Sequence, residues 1–96
     1  MKISRFELYE ALYGAGLDED ALKEDIPYHG DITRTAVRIH NDNDAFRFFL
    51  ALAEILYHED NEADFFGRAR DFANAATIEG LGKDLYLYLP GIEITE

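Results

Sequence analysis

The apolar positions of this chain change period several times, and each change marks an expected element. Between Ser4 and Gly14 they recur at helical spacing, with Phe6, Leu8, Tyr9, Leu12 and Tyr13 expected on the buried face of a first helix. Its entry is strongly specified. Ser4 and Glu7 have capping-box spacing, and Ile3 and Leu8 stand where a hydrophobic staple needs them. Gly14 and Gly16 suit the left-handed backbone that ends a helix. A shorter second helix is expected from Asp18, because Leu17 and Leu22 repeat the staple and Asp18, Glu19 and Asp20 suit the positive end of a helix dipole. Ile26-Pro27 would stop it, since proline pushes the preceding residue out of helical conformation.

The period then falls to two. Thr33, Thr35, Val37 and Ile39 alternate with Ile32, Arg34, Ala36, Arg38 and His40, which predicts a strand over 31–40 with an arginine-bearing face. Asn41 to Asp44 ends the strand and caps the next helix. That third helix, over 44–58, is apolar around most of its circumference. Only Arg47, Ala51, Glu54 and His58 make a narrow stripe, so the helix is expected at the centre of the fold. A fourth, over 62–76, presents Phe65, Ala69, Phe72, Ala73 and Ala76. Asp64 and Arg68 form an i,i+4 pair on it. Asp84 to Leu89 alternates strictly, with Leu85, Leu87 and Leu89 on one side and Tyr86 and Tyr88 on the other. Pro90-Gly91 predicts a turn and Ile92 to Thr95 a further edge strand. The expected architecture is one α+β domain over 1–96. Its element order is α-α-β-α-α-β-β, with four helices packed on one face of a small sheet.

Composition narrows the picture. Ninety-six residues suffice for one modest core, and seven Phe and six Tyr can fill it. No apolar run approaches a bilayer span, and the opening MKISRFELYE lacks the apolar stretch of a signal peptide. With no Cys there is neither a disulfide framework nor thiolate chemistry. A cytoplasmic location is the expectation.

Charge alters the functional reading most. Twenty Asp and Glu against nine Lys and Arg give a formal net charge of −11. A surface this acidic repels nucleic acid and anionic membranes, so neither is an expected direct partner. The two short helices around the glycine-rich turn have helix-turn-helix proportions. However, the second carries Asp18, Glu19, Asp20, Glu24 and Asp25 against Lys23 alone, which excludes DNA reading.

The stretch Tyr57 to Asp64, YHEDNEAD, has hard metal ligands at alternate positions, yet it fails as a calcium loop. Counted from Asp60, the sixth position is Phe65 and not Gly, and the twelfth is Asp71 and not Glu. His29, His40 and His58 each have a carboxylate nearby in sequence, which carries little information in so acidic a chain. No metalloprotease helix, phosphate loop or nucleophile elbow occurs. No cofactor, metal or catalytic activity is expected.

What is left is the acid itself. Asp18, Glu19, Asp20, Glu24 and Asp25 cluster at one expected helix entrance, Asp42 and Asp44 at another, and Glu62 and Asp64 at a third. Helix capping and solvation account for many of these. Glu59 and Asp60 stand instead at the negative end of a helix, where local structure gives no reason for them. Carboxylates aligned on one face would imitate the phosphates of a nucleic-acid strand and occupy a basic channel. Tyr86 and Tyr88 are candidate interface anchors beside them. In size, acidity and lack of catalytic motifs the chain resembles small inhibitors from mobile elements, such as anti-CRISPR and anti-restriction proteins, and nuclease immunity proteins. The resemblance transfers no residues. It implies a non-enzymatic inhibitor that binds the basic nucleic-acid-binding surface of a defence nuclease complex. Two alternatives stand beside it: an adaptor or assembly module, monomeric or homodimeric, and a small His/carboxylate hydrolase needing two of the three histidines in one cleft.

Overall fold

The computed structural model describes residues 2–27, 33–59, 64–89 and 93–95. Strand β1 (Lys2–Ser4) leads into helix α1 (Arg5–Gly14), and a single 3-10 turn (Glu19–Ala21) precedes strand β2 (Leu22–Pro27). Strand β3 (Thr33–Ile39), helix α2 (Asp42–Leu56) and helix α3 (Phe65–Ala75) follow. Strands β4 (Thr77–Leu81), β5 (Asp84–Tyr88) and β6 (Glu93–Thr95) complete the chain. The result is a small domain of mixed helix and sheet, with three α-helices and two sheets among the described residues.

Helix α2 is the axis of the packing. Ala45, Phe48, Phe49, Leu52 and Ala53 are all buried, and α1 and α3 flank it on either side. Phe49 stacks on Phe72 of α3 with ring centroids 5.8 Å apart and lies 5.6 Å from Phe48. Val37, Ile39, Leu87 and Leu89 close the core from the sheet side, with Leu85 packed against it. The central position expected for this helix is therefore observed, and so is the alternation of the leucines over 84–89.

Both ends of α1 are built as the sequence requires. The Glu7 backbone N–H donates to Ser4 Oγ at 3.1 Å and the Ser4 backbone N–H donates to Glu7 Oε1 at 3.1 Å, a complete capping box. Ile3 and Leu8, the staple pair, are fully buried. At the far end Gly16 takes φ 78°, while Leu17 N–H reaches the Leu12 carbonyl at 2.9 Å and Gly16 N–H the Tyr13 carbonyl at 3.0 Å. These two bonds define a Schellman exit, which needs a residue free of the Cβ penalty at positive φ.

Several expectations are corrected. The second helix is absent: Asp18 caps a single 3-10 turn by accepting from Asp20 N–H at 3.0 Å, after which Leu22 to Pro27 pairs with β3. Leu22 opposite Val37 joins the core side of a sheet, and that long-range burial outweighs the local helical preference of LKED. Among the described residues the expected four helices are thus three, and the expected single small sheet is two. The element order differs too, because β1 and β4 were not foreseen. The larger sheet is antiparallel in the order β2-β3-β5-β4, whereas β1 and β6 form a separate parallel pair. The start of α3 is capped by Asp64, which accepts from Gly67 N–H at 2.9 Å. Arg68 does not pair with it and lies 4.6 Å over the Tyr57 ring. On α1, Phe6 and Tyr13 are exposed, since Leu8, Ala11 and Leu12 already fill the buried direction of the wheel. The turn at Tyr28 to Asp31, the turn at Pro90-Gly91, and residues Asp60, Asn61 and Glu62 lie outside the described residues.

If α2 organises the domain, Phe49→Ala lowers unfolding free energy by about 3–5 kcal/mol, whereas Ser4→Ala at the cap costs about 1 kcal/mol. Urea titrations with an unchanged denaturant slope would check both. Equal losses would place the main source of stability elsewhere.

Candidate functional site

Helices α1 and α2 run antiparallel, and Gly14 makes their close approach. A Cβ at that position would lie 3.1 Å from the Ala51 Cβ. The absence of a side chain lets the helices nearly touch at one end, and their outward walls border a furrow made of two adjoining hollows. Tyr13, Gly14, Arg47, Leu50, Ala51 and Glu54 line one part of it, of about 470 Å³. Glu7, Glu10, Glu54, Ile55 and His58 line the next, of about 380 Å³, with Glu54 common to both. The stripe Arg47, Ala51, Glu54, His58, which breaks the apolar circumference of α2, is thus one wall of this furrow.

Each end of the furrow meets an acidic pole. At the end near the α2 N-terminus, Asp18, Arg38 and His40 border one small cavity, which sets the exposed Asp18, Glu19 and Asp20 beside the start of α2 with Asp42 and Asp44. Asn41 caps α2 by accepting from Asp44 N–H at 3.0 Å, and Asp44 accepts from His40 N–H at 2.9 Å. Tyr13 connects this pole to the furrow. Partial loss of solvent around its ring raises the phenol above its ordinary value of 10.0, followed by the charge of Glu19, a hydrogen bond to the Glu19 carboxylate and the charge of Asp18.

At the other end stand His58 and Glu59, followed in the chain by Asp64. His58 Nδ1 lies 2.8 Å from the Ile55 carbonyl, which can only accept, so Nδ1 carries a proton and donates. Its Nε2 lies 3.7 Å from Glu59 Oε1 on a well-exposed surface. Glu59, for which helix-end physics gives no reason, thus has an imidazole beside it.

The expected site residues therefore divide. Glu59 stands at one end of α2, and Asp18, Glu19, Asp20, Asp42 and Asp44 at the other, separated by about 22 Å of helix, while Asp64 caps α3, whose Phe66 stacks on Phe46 of α2. Asp18 to Asp25 mark no α-helix entrance, because a 3-10 turn and β2 stand there. Glu24 is exposed and pairs with Arg5 at 2.6 Å. Asp25 belongs to β2, with its side chain outside the described residues, as are Asp60 and Glu62. Tyr88 is 3% exposed and so is no surface anchor, and Tyr86, on the same face of β5, is half-buried.

Sequence clustering missed the residues that connect the poles. Glu10 and Glu54 are isolated acids, Glu7 reads only as a cap, and Tyr13 reads as core. The available signal was the polar stripe on α2 together with a glycine at the end of α1. His40 and His58 sit at opposite ends of α2 and do not share a cleft. Among the described residues no three His, Asp or Glu side chains are grouped to hold a metal ion.

The Tyr13–Glu19 contact is directly testable. A raised folded-state pKa favours the neutral phenol, so its stabilisation is present below the ordinary tyrosine value and is lost as pH rises through the raised one. An NMR titration of the individual tyrosine rings should show Tyr13 ionising at lower pH in Glu19→Gln than in the parent chain. No change would remove Glu19 as a partner.

Comparison with protein-family models, with curated proteins and with solved structures finds no match to this chain.

Proposed function

We propose that the protein is a non-enzymatic, cytoplasmic inhibitor that binds a basic, nucleic-acid-binding surface of a defence nuclease complex and competes there with phosphate. The observation that carries this reading is the acidic path along one side of the helical layer. It runs from Asp18 and Glu19 through Tyr13, past Glu54 and Glu10, to Glu59. Successive carboxylates on α1, Glu7 and Glu10, are about 4.5 Å apart along the helix axis, close enough to act together on a chain of cations. Among the described residues Arg38 beside Asp18, and Arg47 and His58 along the furrow, oppose Asp18, Glu19, Glu7, Glu10, Glu54 and Glu59, so the path keeps an excess of negative charge. Steering by such a field speeds encounter with a basic partner and discourages acidic ones. No helix among the described residues is long and apolar enough to cross a membrane.

A second reading, an adaptor or homodimeric assembly module, is favoured by a separate observation. Phe6 on α1 is 72% exposed and Phe66 on α3 is 60% exposed, the latter stacked on Phe46 with centroids 6.3 Å apart. Large exposed aromatics are interface material.

The two readings part experimentally. Affinity for a basic partner recovered from nuclease-treated host extract should fall about tenfold between low and physiological salt, and added DNA should compete. Salt-independent affinity without DNA competition would contradict the inhibitor reading. Light scattering over a concentration series tests the module: a strict monomer removes the homodimer.

A further inference from the structure

The α1–α2 furrow is more than a charged strip, because its floor is apolar and its walls are not. Leu50 and Ile55 are half-buried, and Ala51 lies against Gly14, so the bottom offers hydrocarbon. Glu7, Glu10 and Glu54 rise at the half nearer His58, while Arg47 stands at the other half beside Tyr13. We infer that this furrow docks an amphipathic basic α-helix of the protein partner, with Lys or Arg over Glu7, Glu10 and Glu54 and an apolar side chain on the Leu50–Ala51 floor.

Charge and hydrogen bonding select this occupant. Both walls are helices whose backbone groups are satisfied internally, so they offer no ladder to a strand. An extended segment would leave its own N–H and C=O groups unpaired over the apolar floor. A helix brings its backbone bonds with it. From Arg47 to His58 the α2 wall is about 16 Å long, room for three turns presenting anchors at i, i+3 or i+4, and i+7. Arg47 gives the furrow polarity: the basic residues of the ligand gather at one end of the helix and not along its whole length. The exposed Phe6 lies on the same outward side of α1 as Tyr13, two turns away, and extends the contact beyond the furrow.

The inference rests on the proposed reading only in taking the partner to be basic. Its test uses the full chain and a labelled helical peptide of about fourteen residues built from Leu, Ala and Lys, with a scrambled peptide of the same composition as control. The expected result is chemical-shift change concentrated at Glu10, Tyr13, Leu50 and Glu54, with the scrambled peptide binding about tenfold more weakly. Glu10→Lys with Glu54→Lys should reduce peptide affinity about tenfold more than the charge-matched pair Asp71→Lys with Asp84→Lys, all four sites being exposed. Circular dichroism checks that both variants fold. Equal losses in the two variants, or shifts spread over the acidic poles, would overturn the furrow assignment. If that happens while DNA still competes for the extract partner, the inhibitor reading survives without the furrow. If the peptide docks as described but DNA does not compete, the inhibitor reading falls and the furrow stands.

Discussion

Everything in this domain depends on burying the aromatic flank of α2. Phe48 and Phe49 are fully enclosed, and each neighbouring element supplies a wall to them: α1 on one side, α3 with Phe72 on another, and the leucines and Val37 of the sheet beneath. In a chain of this size one such cluster is most of the available hydrophobic stabilisation. A net charge of −11 pushes against it, since the carboxylates cannot leave the surface. Burial therefore fixes the position of α2 first. The acidic groups then occupy whatever outward positions remain.

That order of events makes the furrow. Gly14 lets α1 settle against Ala51, and the one stripe of α2 not spent on the core is left facing outward beside it. The stripe carries Arg47, Glu54 and His58, and the facing wall of α1 carries Glu7, Glu10 and Tyr13. Local electrostatics at the ends follow ordinary helix rules, with Asn41 and Asp64 capping α2 and α3 and His58 donating to a terminal carbonyl. Those rules bring acid to both ends of α2. The furrow lies between these ends, and the proposed acidic path follows it.

What could be read from the sequence follows from how local each feature is. The capping box at Ser4, the exit at Gly16, the central α2 and the alternating Leu85, Leu87 and Leu89 depend on neighbours within a few residues, and all are present. The segment Leu22 to Pro27 reads locally as helix because its strand conformation is decided by Val37 and Ala36 across the sheet. β1 and β6 pair Ile3 with Ile94, near opposite ends of the chain, which no local pattern announces. The site obeys the same division. Acids adjacent in sequence, such as Asp18 to Asp20, were easily noticed, yet Glu10 and Glu54 gain meaning only when two helices face each other. Tyr88 failed as an anchor for the converse reason, since strand alternation predicts the side of a sheet but not what covers it.

The central claim is that the negative charge is focused along α1 and α2 and not spread evenly as a solubilising coat. It can be measured without any partner, by comparing NMR relaxation from small cationic and anionic nitroxide cosolutes at each residue. Focused charge predicts that the cationic probe is enriched, relative to the anionic one, at Glu7 to Tyr13 and at Glu54 to Glu59, well above Asp71 of α3 and Asp84 of β5. A uniform enrichment over all exposed carboxylates would contradict it, and the acidity would then serve solubility alone.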